Sequence, residues 1–455
     1  MSARLTVESL AARAAGKLSR LAGTGGGTTL PGKLLWKLDP SAIDALAARL
    51  PDGAALVSAT NGKTTTTAMA AEILAGKRRL AWNRSGANLA SGVASTLLTQ
   101  RDAELGLLEV DEGALPEIAR RVQPRAVLLG NLFRDQLDRY GELEHIADNW
   151  RSATAALPPE AVLVVNGDDP QVGDLGRDRA GTIAFGIDDP AHARPTLQHA
   201  ADSRYCVRCG RPYEFAAAYV GHLGDYHCPA CGHARPPLQV RARAIELDGL
   251  EGVSFELDTP AGSTRVRLPL PGLYNVYNAL GAAALAQVLG APLDEIRAGL
   301  ERFGAAFGRF ERIAAGDKTI LVLLIKNPAG ANEVVHTLEQ GGAPSLLFVA
   351  LNDAIADGKD VSWIWDVDFE PLLARVEHLI ASGDRAAELG VRCVYGGLDE
   401  DALEVEPDLA RALDSGLALT PPGGELVVLP TYTAMLALQR ILTERRHAKP
   451  YWERS

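Results

Sequence analysis

The stretch Ala54-Ala55-Leu56-Val57-Ser58-Ala59-Thr60-Asn61-Gly62-Lys63-Thr64-Thr65 decides the fold. The apolar run Ala54–Ser58 reads as a buried strand and Thr64–Leu74 as a helix, with a small polar turn between them. A strand that feeds such a turn into a helix N-terminus is the setting of a phosphate loop, where backbone N–H groups and the helix dipole attract phosphate. On this reading Thr60, Asn61, Gly62, Lys63, Thr64 and Thr65 bind a nucleotide, with Lys63 at the β- and γ-phosphates and the Thr64 hydroxyl on Mg²⁺. Val57 stands where the full G-x-x-x-x-G-K-T pattern has its first glycine, so an ordinary strand–turn–helix is the competing reading.

Working outward, Leu105–Val110, Ala126–Leu129 and Ala161–Val165 read as further buried strands, with helices at Leu115–Arg121 and Glu144–Ala156. This is the alternation of a parallel sheet covered on both faces. Ala242–Leu257 reads as strands and Tyr274–Leu289 as a helix. A second α/β unit is expected from about residue 309. Its strands are Ile320–Ile325, Ser345–Leu351, Glu377–Ile380 and Leu426–Leu429, and its helices Gly330–Leu338, Asp384–Leu389 and Tyr432–Arg445.

Residues 204–237 break the pattern and read as an inserted module. Cys206-x₂-Cys209 and Cys228-x₂-Cys231 are separated by 18 residues, the spacing of a zinc ribbon. Four thiolates close a tetrahedron and leave no open position, so the expected Zn²⁺ is structural. His222, His227 and His233 nearby read as surface residues. The fifth cysteine, Cys393, reads as an inert strand residue.

The chain has 455 residues and a net charge of −11, which argues against a dedicated duplex-DNA binder. The five cysteines form no secreted disulfide framework, and no stretch reads as a signal peptide or membrane span. The expected location is cytoplasmic. Residues 1–23 read as a solvated amphipathic helix, with peripheral contact at the inner face of a membrane as the alternative.

The phosphate loop resembles the T-N-G-K-T-T loop of the Mur ligases and folylpolyglutamate synthases, ATP-dependent enzymes that activate a carboxylate as an acyl phosphate. Further matches follow in the same order. Asn131-Leu132-Phe133-Arg134-Asp135-Gln136-Leu137-Asp138-Arg139 resembles the family's N-(I/L)-x-x-D-H-L-D-R, Val165-Asn166-Gly167-Asp168-Asp169-Pro170 its V-N-x-D-D-P, and Leu270-Pro271-Gly272-Leu273-Tyr274-Asn275-Val276-Tyr277-Asn278-Ala279 its L-x-G-x-x-N-x-x-N-A. The resemblance implies an α/β fold: a Mur-ligase-like central P-loop ATPase domain with an inserted four-cysteine zinc ribbon, then a second, smaller α/β domain. The expected division is an N-terminal helix and Gly-rich segment at 1–40, the ATP-binding domain at 41–308, and the C-terminal domain at 309–455.

The resemblance also implies site residues. Asn275 and Asn278 lie near the adenine, Glu109 joins Thr64 at Mg²⁺, and Arg309 approaches the nucleotide. The alternatives are a solvated carboxylate for Glu109 and a hinge salt bridge for Arg309. Lys326-Asn327-Pro328 occupies the place of a family loop near the phosphates. Gln136 replaces a metal-binding His of the family, and no lysine lies near Asp148–Arg151, where many members carry a carbamylated one, so one Mg²⁺ is expected. About 55 residues precede the loop, too few for a UDP-binding domain, which disfavours a UDP-anchored substrate.

With the ribbon, the segments Leu351-Asn352-Asp353, Ala356-Asp357-Gly358-Lys359-Asp360 and Val361-Ser362-Trp363-Ile364-Trp365-Asp366 are similar to the ligase-like subunits of lipid II isoglutaminyl synthases. That resemblance implies ATP-driven amidation of the α-carboxylate of D-glutamate in the lipid II stem. It also implies ammonia from a separate GatD-like glutaminase docked on the C-terminal domain. An Asp of this chain would complete the partner's Cys–His pair. Asp353 is the first choice, with Asp360 and Asp357 next; helix capping or solvation is the alternative for all three. Two other functions compete: an amino-acid ligase of the folylpolyglutamate synthase type, and a non-catalytic nucleotide-sensing or nucleic-acid-binding scaffold that uses the ribbon.

Overall fold

The computed structural model describes residues 30–39, 41–84, 86–135, 143–194, 196–198, 201–304 and 309–448, with only the backbone of Arg309. The N-terminal helix and Gly-rich segment before residue 30, and Gln136 with the residues that follow it to 142, lie outside these.

Among the described residues, helices Leu30–Leu38 and Ala42–Ala47 come first, followed by eleven strands up to residue 268. They are β1 (Ala54–Ser58), β2 (Leu80–Trp82), β3 (Leu105–Glu109), β4 (Ala126–Leu129), β5 (Val162–Asn166), β6 (Ile183–Ile187), β7 (Glu214–Val220), β8 (Leu223–His227), β9 (Val240–Leu247), β10 (Val253–Thr259) and β11 (Gly262–Leu268). All but β7 and β8 form one nine-stranded sheet in the order β11-β10-β9-β6-β5-β4-β1-β3-β2. From β2 to β9 the neighbours run parallel, while β10 and β11 are antiparallel. β1, β3 and β4 are buried at every position, because helices cover both faces. One of those helices, Leu273–Val288, is Ala-rich and buried over most of its length; its small side chains let it lie close to the sheet.

The second sheet has six strands in the order β12-β13-β17-β14-β15-β16. Here β12 is Arg309–Ala315, β13 Lys318–Leu323, β14 Leu346–Ala350, β15 His378–Ser382, β16 Leu403–Val405 and β17 Glu425–Pro430. Only the β12–β13 pair is antiparallel. β7 and β8 make a separate antiparallel hairpin inside the insertion. The expected α/β architecture therefore holds, with a second, smaller α/β unit.

Three expectations are corrected. Cys393 lies in the helix Ala386–Tyr395, not in a strand. Val391, Val394 and Tyr395 favour a strand locally, but the helix buries Leu389 and Cys393 against the second core. His222 and His233 are buried, at 0% and 2% exposure, rather than on the surface. Only His227 of the three is exposed.

Trp150 is fully buried on the helix Leu143–Ala155, and its Nε1 donates to the Glu112 carbonyl at 3.0 Å. Trp150→Ala should destabilise the protein by about 3–5 kcal/mol through cavity formation. Chemical denaturation should show a lower midpoint with an unchanged slope; a shift under about 1 kcal/mol would mean that the site collapses around the smaller side chain.

Candidate nucleotide site and metal centre

The carboxyl ends of β1, β3 and β4 meet at the point where the strand order reverses, which is where ligands bind in open α/β sheets. β1 delivers the phosphate loop there, β3 delivers Glu109 and β4 delivers Asn131. Gly62 caps the helix Lys63–Leu74 at φ +83°, a left-handed conformation that glycine adopts without strain. A Cβ at this position would lie 1.9 Å from Asn278 Oδ1, so the missing side chain leaves room for the Asn278 amide of the helix Leu273–Val288.

Asn61 N donates to Asn131 Oδ1 at 2.9 Å, and Asn131 Nδ2 returns a bond to the Asn61 carbonyl at 3.0 Å. The Thr60 hydroxyl accepts from Phe133 N at 3.1 Å. These bonds fix the loop to the end of β4. Lys63 Nζ donates to the Ala59 carbonyl at 2.9 Å and to Glu112 Oε2 at 3.0 Å. Burial works against the charged ammonium, but Glu112, Glu109 and Asp111 together outweigh it and hold the Lys63 pKa above its ordinary value. Thr64 Oγ1 donates to Glu109 Oε1 at 3.1 Å, so two hard oxygens sit side by side at the loop. That donor set fits Mg²⁺.

Asn278 Oδ1 accepts from Thr66 Oγ1 at 3.2 Å, and Asn278 Nδ2 donates to Asn275 Oδ1 at 3.0 Å. The structure thus sets Asn278 against Thr66 of the helix that follows the phosphate loop and Asn275 against Asn278, whereas the sequence reading places both near the adenine. Asn61, Gly62, Thr65, Asn131, Asn275 and Asn278 border a cleft that opens to solvent at its mouth, with about 960 Å³ of space when the open mouth is included. Across it stands the second domain, which contributes Phe310, Lys326 and Gly330. Asn61 and Asn327 exchange side-chain hydrogen bonds at 3.3 and 2.9 Å, and Lys326 pairs with Asp135. Arg309 begins β12, and nothing of its side chain is described.

The four ribbon sulfurs lie within 4.8 Å of one another, with Cys206–Cys231 at 3.6 Å and Cys209–Cys228 at 3.5 Å. A zinc–sulfur distance of about 2.3 Å implies tetrahedral edges of about 3.8 Å, so the cluster matches a metal-binding tetrahedron. His233 is no ligand here; its Nδ1 shares a 2.7 Å hydrogen bond with the Tyr213 hydroxyl.

In the second domain Asp353 is paired with Arg385 at 3.1 Å and lies 3.8 Å from Lys359. Asp357 is buried and accepts from Thr433 N at 2.8 Å and from the Thr433 hydroxyl, at the start of the helix Tyr432–Glu444. Asp360 is exposed and accepts from Ser362 N at 2.8 Å. Cys393 is 1% exposed, and burial pushes its thiol up to about 12. No helix among the described residues is long and apolar enough to cross a membrane.

Asn131 and Tyr277 stand in the sequence motifs without an assigned role, and no role was read for Glu112. Asp168, also quoted, is fully buried and accepts from the Tyr277 hydroxyl at 2.7 Å, Ile187 N at 2.9 Å and Arg235 Nη1 at 3.2 Å. Burial is the largest influence and raises its carboxyl to about 6, against the opposing pull of Arg235, Tyr277 and the Ile187 N–H. The folded value thus lies above the unfolded one of about 3.9. Its stabilising contribution is full below about pH 4 and is lost as the pH rises through about 6. Asp168→Asn cannot titrate. Its unfolding free energy minus that of the wild type should therefore climb by on the order of 2 kcal/mol between pH 4 and 6.5 in urea titrations. A constant difference would show that Asp168 does not titrate in this window.

Comparison with known proteins gives a consistent result. The family described as "Mur ligase middle domain" matches residues 57–226, and "MurT ligase C-terminal" matches residues 324–435. The chain is 33% identical over 441 residues to the subunit MurT of lipid II isoglutaminyl synthase (glutamine-hydrolyzing) from Streptococcus pneumoniae, covering 94% of each chain. It is 32% identical over 429 residues to the Staphylococcus aureus subunit of the same name, covering 93% of this chain and 94% of that one. Among solved structures, a pseudomurein peptide ligase type C from Methanothermus fervidus superposes with a TM-score of 0.67 at 22% identity, over 88% of this chain and 80% of that one. The MurF ligase from Thermotoga maritima in complex with ADP superposes at 0.62 with 15% identity, over 89% and 85%. These two likenesses establish the fold. Identity over nearly the whole length of both chains establishes more: the chain belongs to the family of MurT subunits of lipid II isoglutaminyl synthase.

Proposed function

We propose that this chain is the ATP-dependent ligase subunit of a glutamine-dependent amidotransferase in peptidoglycan synthesis. It activates the α-carboxylate of D-glutamate in the lipid II stem peptide, which becomes D-isoglutamine. The observation that carries this reading is the 94% coverage of both chains in the match to a MurT subunit. The γ-phosphoryl group of ATP passes to a carboxylate oxygen, giving an acyl phosphate and ADP. The ammonia lone pair then attacks the carbonyl carbon, the bond to the phosphate oxygen breaks, inorganic phosphate leaves and the nitrogen loses a proton.

Lys63 exchanges Glu112 for the β- and γ-phosphates, while Thr60, Asn61, Gly62, Thr64 and Thr65 cradle the phosphate chain with backbone and hydroxyl groups. Thr64 and Glu109 would hold Mg²⁺, which when bound neutralises charge on the phosphates. Asn275 and Asn278 serve the adenine end, and Arg309 the nucleotide. Contacts between the two domains, Asn61 with Asn327 and Lys326 with Asp135, hold the cleft walls together at the phosphate loop, and further closure over bound substrate would keep water from the acyl phosphate. Cys206, Cys209, Cys228 and Cys231 hold a structural Zn²⁺.

Ammonia comes from a separate GatD-like glutaminase subunit. Cys393 is the one cysteine outside the ribbon, and a buried thiol with a raised pKa is a poor nucleophile. The partner docks on residues 309–455, and Asp353 completes its triad. Asp357 is engaged in capping, whereas Asp353 lies on a loop beside Ile355, which is 83% exposed. Arg385, the partner of Asp353, precedes the helix Ala386–Tyr395; at its far end Tyr395 contacts Trp365 at 5.9 Å, and Val391 is exposed on the same helix. This apolar surface beside an acidic loop suits a protein partner. The heterodimer works in the cytoplasm, meeting lipid II at the inner membrane face.

Two experiments test the assignment. With glutaminase, glutamine, ATP–Mg and lipid II, the wild type should amidate the stem. Lys63→Ala should lose the reaction even when an ammonium salt replaces glutamine. Asp353→Ala should keep the ammonium-driven reaction and lose only the glutamine-driven one; equal loss in both would remove Asp353 from the partner's triad. Ligation of free amino acids with no amidation would point instead to a folylpolyglutamate synthase-like enzyme. Separately, elemental analysis should find about one zinc per chain, absent after Cys228→Ala.

A further inference from the structure

The insertion reaches the cleft. Its hairpin β7–β8 contributes Val220 and Leu223 to the cleft wall, and between them His222 packs on Phe133 with ring centroids 4.6 Å apart. The segment leading into the ribbon is strapped to the hairpin: Arg194 N donates to the Ala218 carbonyl at 2.7 Å, and Gln198 Oε1 accepts from Gly221 N at 2.9 Å. Both side chains then extend to the other domain. Arg194 Nη2 donates to Glu333 Oε1 at 2.6 Å, and Gln198 Nε2 approaches the same oxygen at 3.4 Å.

Glu333 lies on the helix Pro328–Gln340, one turn beyond Gly330, which faces Asn61 of the phosphate loop. It is the only carboxylate among the described residues that line the cleft, and it is 4% exposed. Both of its side-chain bonds end on Oε1, and Oε2 accepts none among the described residues. Burying a carboxylate costs free energy unless a cation answers it, and Arg194 does so. What remains is a strong acceptor in a cleft wall that also holds Val220, Leu223 and Val334.

A nucleotide whose phosphates sit at the phosphate loop brings donors into this cleft: the ribose hydroxyls and the exocyclic amine of adenine. We propose that the insertion is part of the nucleotide site. Its hairpin walls the nucleoside end of the cleft and, through Arg194 and Gln198, orients Glu333, whose Oε2 accepts a hydrogen bond from the nucleoside. Glu333 is thus a nucleoside-specificity residue, and Gln198 and Arg194 are positioning residues. This rests on the reading of the cleft as the ATP site.

Calorimetry on the full chain with Mg²⁺ tests it, using ATP, 2′-deoxy-ATP, 3′-deoxy-ATP, inosine triphosphate and tripolyphosphate. Glu333→Gln and Glu333→Ala should each weaken ATP about tenfold, the size of one charge-assisted hydrogen bond, and Gln198→Leu should weaken it less. Tripolyphosphate should bind all variants as it binds the wild type, which also reports a folded phosphate loop. The analogue that lacks the recognised donor should bind wild type and Glu333→Ala equally and so names the donor. ATP affinity unchanged in both Glu333 variants while Lys63→Ala loses it would overturn the proposal and leave the nucleotide reading intact. A loss of tripolyphosphate binding equal to that of ATP would assign Glu333 a purely structural role. Absence of ATP binding by the wild type would remove both readings.

Discussion

One buried carboxylate ties together the parts that make the cleft. Asp168 follows β5, binds the backbone of β6, takes the hydroxyl of Tyr277 from the helix beneath the nucleotide site, and pairs with Arg235 from the base of the ribbon. A charge in that position is unfavourable unless several donors answer it, and three do. Sheet, helix and insertion are consequently held in one register. Asp169, the next residue, accepts from Leu132 N and lies 3.4 Å from His222, which carries the register on to the end of β4 and the ribbon tip.

The phosphate loop depends on the same helix from the other side. Gly62 sits at φ +83°, which favours glycine, and its missing side chain leaves room for the Asn278 amide. Tyr277 and Asn278 are neighbours, so the group that satisfies Asp168 and the group that meets the loop move as one unit. This explains how a short loop with no first glycine holds its shape: the constraint comes from the packed helix and from Asn131, rather than from the loop's own composition.

Much of this was legible in the sequence, because phosphate loops and C-x-x-C pairs depend on local spacing. The strand–turn–helix of the loop and the clustering of the four cysteines follow from local spacing, while Glu109, which meets Thr64, was named only through the family resemblance. What stayed hidden depends on contacts distant along the chain. His222 and His233 look like surface residues in a polar, Gly-rich segment; their burial comes from Phe133 and from Tyr213, which sequence position does not pair with them. Glu333 lies 139 residues from Arg194. Cys393 was misread because Val391, Val394 and Tyr395 favour a strand locally, while the surrounding core selects a helix. Short strands such as β2 and β16 carry too few residues for a pattern and are recruited by a neighbouring strand.

The exposed side chains at the edge of the second domain have a consequence for the life of the chain in a cell. Trp365, Tyr395 and Val391 leave aromatic and aliphatic surface facing water, and Ile355 stands almost fully free beside Asp353. Such surface attracts other copies when nothing covers it. Molecules synthesised in excess of whatever shields that edge would carry a standing tendency to self-associate. Selection would then act on matched production of this chain and its cover as much as on the chemistry of either.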